Sequence, residues 1–427
     1  MALIERNLLR LTLYGALTGF LAGGVVLLFR WFIETIQAGF LPGGEAGNYE
    51  ALSPLSRLLL PTTGGLLLGL IFQKIPLERR QVGIVYVLNN LRSSAGGRLS
   101  IANALVQFFG GAAAIIAGHS VDREGPGVHL GAACGSFAGA YLGFTRRDRR
   151  TLIACGAAAS IAAAFNTPLA GALFVIEVLR YRYHIARFMP IIMAAVVGAV
   201  VIRAVHGPYP SFSVPALDMT TLLELPMVAM LGLAIGVLAG LFITACEVTS
   251  KRYAHWPPAL SFTVAGLCAG LLGLWSPQIM GISYDTLDAM LNNRVALSVV
   301  LGILAFKLIA TAVAIGMRVP GGLIGPTLVI GGAMGSVMGL TLDALTAGDT
   351  GSPAFYAVIG MVAMMGAALQ APLSALIALL ELTATPNIIL PGMLAVVSAD
   401  IAGRMIMGRD SVFMVLLRVG KTNQKEP

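Results

Sequence analysis

Charge is scarce in this sequence. Of 427 residues only 11% are Asp, Glu, Lys or Arg, less than half the ~25% that soluble domains carry. That shortage excludes a soluble multidomain enzyme, a disordered chain and a coiled coil, all of which need charge to face water. Cysteine is equally sparse: Cys134, Cys155, Cys246 and Cys268 each lie inside an apolar run, with no CxxC spacing, and read as packing residues. The five histidines stand singly, without HExxH or paired-ligand spacing, so neither a metal nor an organic cofactor is expected. A basic stripe interleaved with aromatics is also missing. The 28 Lys and Arg against 20 Asp and Glu sit in short loops between apolar runs, as membrane orientation leaves them, and no nucleic-acid partner is expected.

What the chain holds in quantity is apolar surface and glycine. Hydrophobic residues make up 57%, and 51 residues are glycine, about 12% against a usual ~7%. The glycines keep no period of three, which removes collagen. An all-α polytopic membrane protein remains. Runs of spanning or near-spanning length fall at about 10–34, 57–73, 100–118, 186–205, 224–248, 258–275, 297–316 and 388–407. Shorter runs at 126–143, 151–165, 168–180, 325–341 and 371–382 are broken by Gly and Pro, a form tolerated at membrane depth only where it is buried in protein or lines a cavity. The apolar stretch after Arg10 lacks a small-residue cleavage site and reads as a first spanning helix. Loop 42–50 is acidic, 74–98 carries five basic residues, and the tail carries Arg418, Lys421 and Lys425, so positive-inside logic expects both termini in the cytoplasm. Beyond Arg409 only a short basic tail is expected, with no room for a soluble regulatory domain.

An internal repeat organises the rest. Residues 125–139 (GPGVHLGAACGSFAG) match 325–339 (GPTLVIGGAMGSVMG), and Pro168 to Glu177 returns as Pro372 to Glu381. Gly65 and Gly69 answer Gly266 and Gly270, and Gly19-to-Gly23 answers Gly236-to-Gly240. Four matches in one order make two homologous halves, set at 1–210 and 211–410 with a tail at 411–427. Such repeats of broken helices place an ion site at the interface of the halves.

The chemistry points to an anion. Asp122-Arg123-Glu124-Gly125-Pro126 and Pro320-to-Pro326 each open a short helix, with Pro needing no N–H partner and Gly letting a ligand approach the backbone. Two facing helix N-termini attract an anion without a full cation. No TVGYG-like run or acidic ring occurs to suit K⁺ or Na⁺. Glu124 costs at least ~2.5 kcal/mol at that depth and is a functional candidate by default. At a helix N-terminus its carboxylate takes the place of a transported anion until protonation displaces it, which makes a gate sensitive to pH. A capping carboxylate paired with Arg123 is the plainer reading.

REGP at 123–126, PGGxxxP at 320–326 and AAFNTPLAGALFVIEV at 163–178, with NIILP at 387–391, resemble the CLC family of chloride channels and chloride/proton antiporters along nearly the whole chain. The resemblance is to the bacterial type without a regulatory C-terminal domain. It implies inverted-topology halves, a homodimer in the lipid of a bacterial inner membrane with one anion pathway per subunit, and Glu124 as the external gate. Gly83, Ile84, Arg123, Gly125, Leu323 and Ile324 are the implied anion-binding residues. The sequence also departs from the family. Val82 replaces the serine of GSGIP, and the run Glu381 to Pro386 lacks the tyrosine expected at its end, where Pro386 stands. With both hydroxyls gone, backbone amides are left as anion ligands. Val178 occupies the position of the proton-relay glutamate, the pattern of family channels, while Glu177 before it reads as structural. A passive or weakly proton-coupled chloride pathway and a coupled chloride/proton antiporter both remain open. A remote third reading, an intramembrane hydrolase built on His119 and Ser120, lacks a GxSxG, and no enzyme activity is expected. Lys307, near the middle of 297–316, must find carbonyls, an acid or an aqueous path and reads as structural, His129 is expected to be a packing histidine, and Arg318 either to snorkel or to face a vestibule.

Overall fold

The computed structural model describes residues 2–81, 83–93, 98–208, 212, 221–346 and 351–422. Val82, the expected boundary at 210/211 and Lys425 lie outside the described residues. The described chain is helical, with no strand beyond one isolated bridge. Helices α1 (Ala2–Phe40), α2 (Pro54–Lys74), α3 (Gly83–Arg92), α4 (Ile101–Ile116), α5 (Glu124–Tyr141), α6 (Arg146–Phe165), α7 (Pro168–Glu177) and α8 (Ile185–His206) form the first half. The second half repeats their order as α9 (Leu225–Arg252), α10 (Pro258–Trp275), α11 (Tyr284–Leu291), α12 (Leu297–Gly316), α13 (Ile324–Thr346), α14 (Pro353–Leu369), α15 (Pro372–Thr383) and α16 (Ile389–Ile401), the last running into a π turn at Ala402–Ile406.

Eight helices among the described residues are long and apolar enough to cross a membrane. Two runs differ from their expected roles. The run at 100–118 forms only the 16-residue α4, because Gly118 turns to a positive φ of 84° and ends it. The run at 325–341, expected to be short, extends through the exposed Thr341 to Thr346 as a 23-residue helix; polarity interrupts its hydropathy but not its hydrogen bonds. Within the segment expected as a short basic tail, Val412–Thr422 forms a helix, α17, which packs on α9 and α3 with Val412, Phe413, Met414 and Leu417 buried.

The repeated glycines set the packing. A Cβ on Gly135 of α5 would lie 2.0 Å from the Leu152 carbonyl oxygen of α6, and one on Gly335 of α13 would lie 2.0 Å from that of Tyr356 in α14. Equivalent glycines thus press equivalent helix pairs together. Gly135→Ala is expected to cost about 3 kcal/mol or more through overpacking, read as a lower melting temperature in detergent or loss of monodisperse protein. Gly24→Ala, which meets nothing within 4 Å, is expected to leave stability unchanged or slightly raised.

The halves are inverted. Helices α2 and α10 cross with Gly65 against Phe262, Gly69 against Pro258, Gly266 against Pro61 and Gly270 against Leu58, so residue numbers rise on one as they fall on the other. Equivalent helices therefore run antiparallel. The pair α7 and α15 does the same with charge: Glu177 at the end of α7 accepts hydrogen bonds from the Leu373 and Ser374 amides that open α15, at 3.0 and 2.6 Å. Glu381 near the end of α15 accepts from Leu169 and Ala170, which open α7, at 3.0 and 2.9 Å. Each carboxylate meets the positive end of the other helix, and this accounts for both glutamates without a transport role.

Candidate functional site

The two halves meet head to head where α5 and α13 begin. Asp122 and Gly322 exchange backbone hydrogen bonds, N–H to carbonyl in each direction at 3.0 Å, as an antiparallel bridge. The fully buried Asp122 carboxylate then joins both helix starts. Its Oδ1 accepts from the Glu124 and Gly125 amides at 3.0 and 3.1 Å, and its Oδ2 accepts from the Gly325 amide at 2.5 Å. Gly322 must be glycine, since a Cβ there would sit 1.8 Å from Asp122 Oδ1.

Five of the nominated residues fall around this junction. Gly83, Ile84, Gly125 and Leu323 line a single cavity of about 430 Å³, together with the cations Arg80, Arg318 and Lys421. Glu124 is 1% exposed, and neither of its carboxylate oxygens has a hydrogen-bond partner among the described residues. Its nearest cation is Arg123, with Nε 3.7 Å from Oε1. The Tyr284 hydroxyl, buried beside the Gly325 backbone, is likewise unpartnered. The carboxylate is therefore paired only loosely, to Arg123, with the Tyr284 hydroxyl facing it.

Other nominated residues are differently engaged. The Gly125 N–H, expected to face an anion, is already bonded to Asp122. Gly83 donates its N–H to His129 Nδ1 at 3.2 Å. Arg123 pairs with Glu34 at 2.9 Å, which also holds Arg30 at 2.7 Å, and its guanidinium lies over the Tyr284 ring. Ile324 turns its side chain to an apolar crevice with Phe165, Leu328 and Met365. The backbone N–H groups of Ile84, Leu323 and Ile324 donate no hydrogen bond among the described residues.

The departures have clear positions. Val178 is buried at the end of α7 and carries no ionisable atom. Pro386 is exposed at the start of a 3-10 turn and does not line the cavity. Thr383 sends its hydroxyl to the Leu379 carbonyl. Of the remaining polar residues, Lys307 donates to the Ile279 and Gly281 carbonyls and Ser283 Oγ at 2.9, 2.8 and 2.7 Å, filling all three of its N–H bonds as expected. His119 lies against the Phe262 carbonyl while Ser120 pairs with Thr311, so these neighbours do not form a nucleophile–base pair.

Sequence reasoning missed two of these contacts. The local half of the Asp122 clip was readable, because Asp two and three residues ahead of free amides is a capping signal. Its bond to Gly325 spans 203 residues and has no local sign. The His129–Gly83 bond, 46 residues apart, has none either.

Comparison with known proteins places this geometry in a family. The family model described as voltage gated chloride channel matches residues 64–404. An Escherichia coli protein named voltage-gated ClC-type chloride channel ClcB is 30% identical over 419 residues, covering 96% of this chain and 98% of the relative. Among solved structures, a slow cyanobacterial Cl⁻/H⁺ antiporter superposes with a TM-score of 0.84 at 22% identity, over 98% of this chain and 99% of that one. A CLC-type fluoride/proton antiporter gives 0.78 at 22% identity, over 96% and 98%.

Proposed function

The chain belongs to the voltage gated chloride channel family, and on that premise we propose that it moves chloride across a membrane by a channel-like or weakly proton-coupled pathway gated by Glu124. One observation carries this reading: a buried carboxylate without a hydrogen-bond partner stands where the two inverted halves bring their helix starts together, beside a cavity lined by Gly83, Ile84 and Leu323. Helix starts favour negative charge, so the carboxylate and a chloride compete for one place. The anion is held by the amides of Ile84, Leu323 and Ile324, and Arg80, Arg318 and Lys421 raise its concentration in the cavity.

Val178 favours weak coupling, because a valine cannot pass a proton along α7. The coupled antiporter stays as the second reading, favoured by the descriptions of the two solved structures that share the fold. The working unit is a homodimer with one pathway per subunit, set in a bacterial inner membrane with both termini cytoplasmic, a topology supported by the basic residues of 74–92 and α17. Vesicles loaded with KCl and carrying the purified protein are expected to release chloride once valinomycin shunts the potential; release no faster than from protein-free vesicles would sink the reading.

A further inference from the structure

His129 does more than fill space between α3 and α5. It is fully buried, its ring is 5.1 Å from that of Tyr86, and its Nδ1 accepts the Gly83 N–H. An imidazole nitrogen that accepts cannot carry the proton, so the ring is neutral with its hydrogen on Nε2. That Nε2 has no partner among the described residues. On the same side, the amide of buried Gln107 in α4 is unpartnered at both ends, with Oε1 3.9 Å from where a Gly83 Cβ would lie. Gly83 itself has φ +76°, a left-handed conformation that glycine adopts without strain and that directs its N–H to the histidine.

We propose that His129 is a positioning residue that sets the anion affinity of the α3 start by holding the Gly83 N–H out of the pathway. The proposal rests on the reading that chloride binds beside Gly83 and Ile84. One N–H serves one strong acceptor at a time. To gain the Gly83 donor, chloride must displace the imidazole, and the net worth of that bond is subtracted from its affinity. Where the family's side-chain hydroxyls are missing, this competition leaves a weak site that releases its ion readily.

Two measurements test this, both in the Glu124→Gln background so that the carboxylate does not compete. Chloride binding by titration calorimetry at fixed pH is compared for the parent, His129→Phe and His129→Gln. Removing the acceptor is expected to tighten chloride binding by about 2- to 12-fold, the range that corresponds to one hydrogen bond, and glutamine, which can accept, is expected to restore the parent value to within about twofold. A structural role alone predicts weaker binding or none in the Phe variant. Unchanged or weaker binding in folded His129→Phe overturns the proposal. The second measurement needs no folded variant at position 129: the ¹⁵N signal of His129 Nδ1 is expected to move toward that of a non-accepting nitrogen as chloride saturates the site, and a signal that stays put also overturns it. If anomalous diffraction from bromide lies away from Gly83 and Ile84, the underlying reading of the anion site has failed and the proposal falls with it.

Discussion

Glu124→Gln is expected to hold chloride efflux at its acid maximum at every pH. On the proposed gate, the ionised carboxylate of the native protein occupies the start of α5 as an anion would, and chloride enters only when it leaves. Protonation removes the charge and with it the attraction of the helix start, so efflux rises as pH falls. For a single carboxylate that rise is bounded at about tenfold per pH unit, and it ends once the group is fully protonated. Glutamine has the shape of the protonated acid and no charge to titrate. The efflux rate of the variant, measured in vesicles between acid and neutral pH, should therefore be high and flat. A variant that keeps the native pH profile would remove Glu124 from the gating role and return it to a capping residue paired with Arg123.

Asp122→Ala has the larger expected effect on the fold. Three buried amides, those of Glu124, Gly125 and Gly325, lose their acceptor together. Each orphaned buried N–H costs about 1–3 kcal/mol, so a loss of at least about 3 kcal/mol is expected, seen as a marked fall in melting temperature in detergent. Function should fall further than stability. This carboxylate and the Gly322 bridge tie Glu124 and Gly125 to Gly325, and small misplacements of a site cost large factors in rate. Chloride efflux per folded molecule is expected to drop about tenfold or more. Asp122→Asn should lie between, because Oδ1 still accepts from Glu124 and Gly125 while an amide N–H₂ is turned against the Gly325 N–H. Native stability and flux in Asp122→Ala would show that the backbone bridge alone holds the junction.

The architecture was legible in the sequence for a physical reason. Gly131, Gly135 and Gly139 recur as Gly331, Gly335 and Gly339 because each removes a Cβ that would strike the next helix, and close packing at equal spacing leaves an equal pattern. The burial of Glu124 at the start of α5 was legible because it is one of few acids in an apolar stretch. The anion's donors were only partly legible. Gly125 and Gly83 read as exposed backbone at helix starts, yet Asp122 and His129 already hold their N–H groups. Sequence spacing tells where a donor is made and is silent on which distant acceptor reaches it. Arg123 shows the same limit: its pairing with Glu34, 89 residues away, is a tertiary contact with no local sign in the sequence.

The account's central claim is an anion pathway opened by Glu124 and lacking a dedicated proton relay at position 178. Simultaneous recording of chloride efflux and external pH, from vesicles holding the purified wild-type protein with valinomycin present, tests it most directly. Chloride release with little accompanying proton uptake, and without a fixed ratio between the two as the chloride gradient is varied, is the result the account expects. Proton uptake in constant stoichiometric proportion to chloride release, abolished by a protonophore, would contradict it and establish the coupled antiporter.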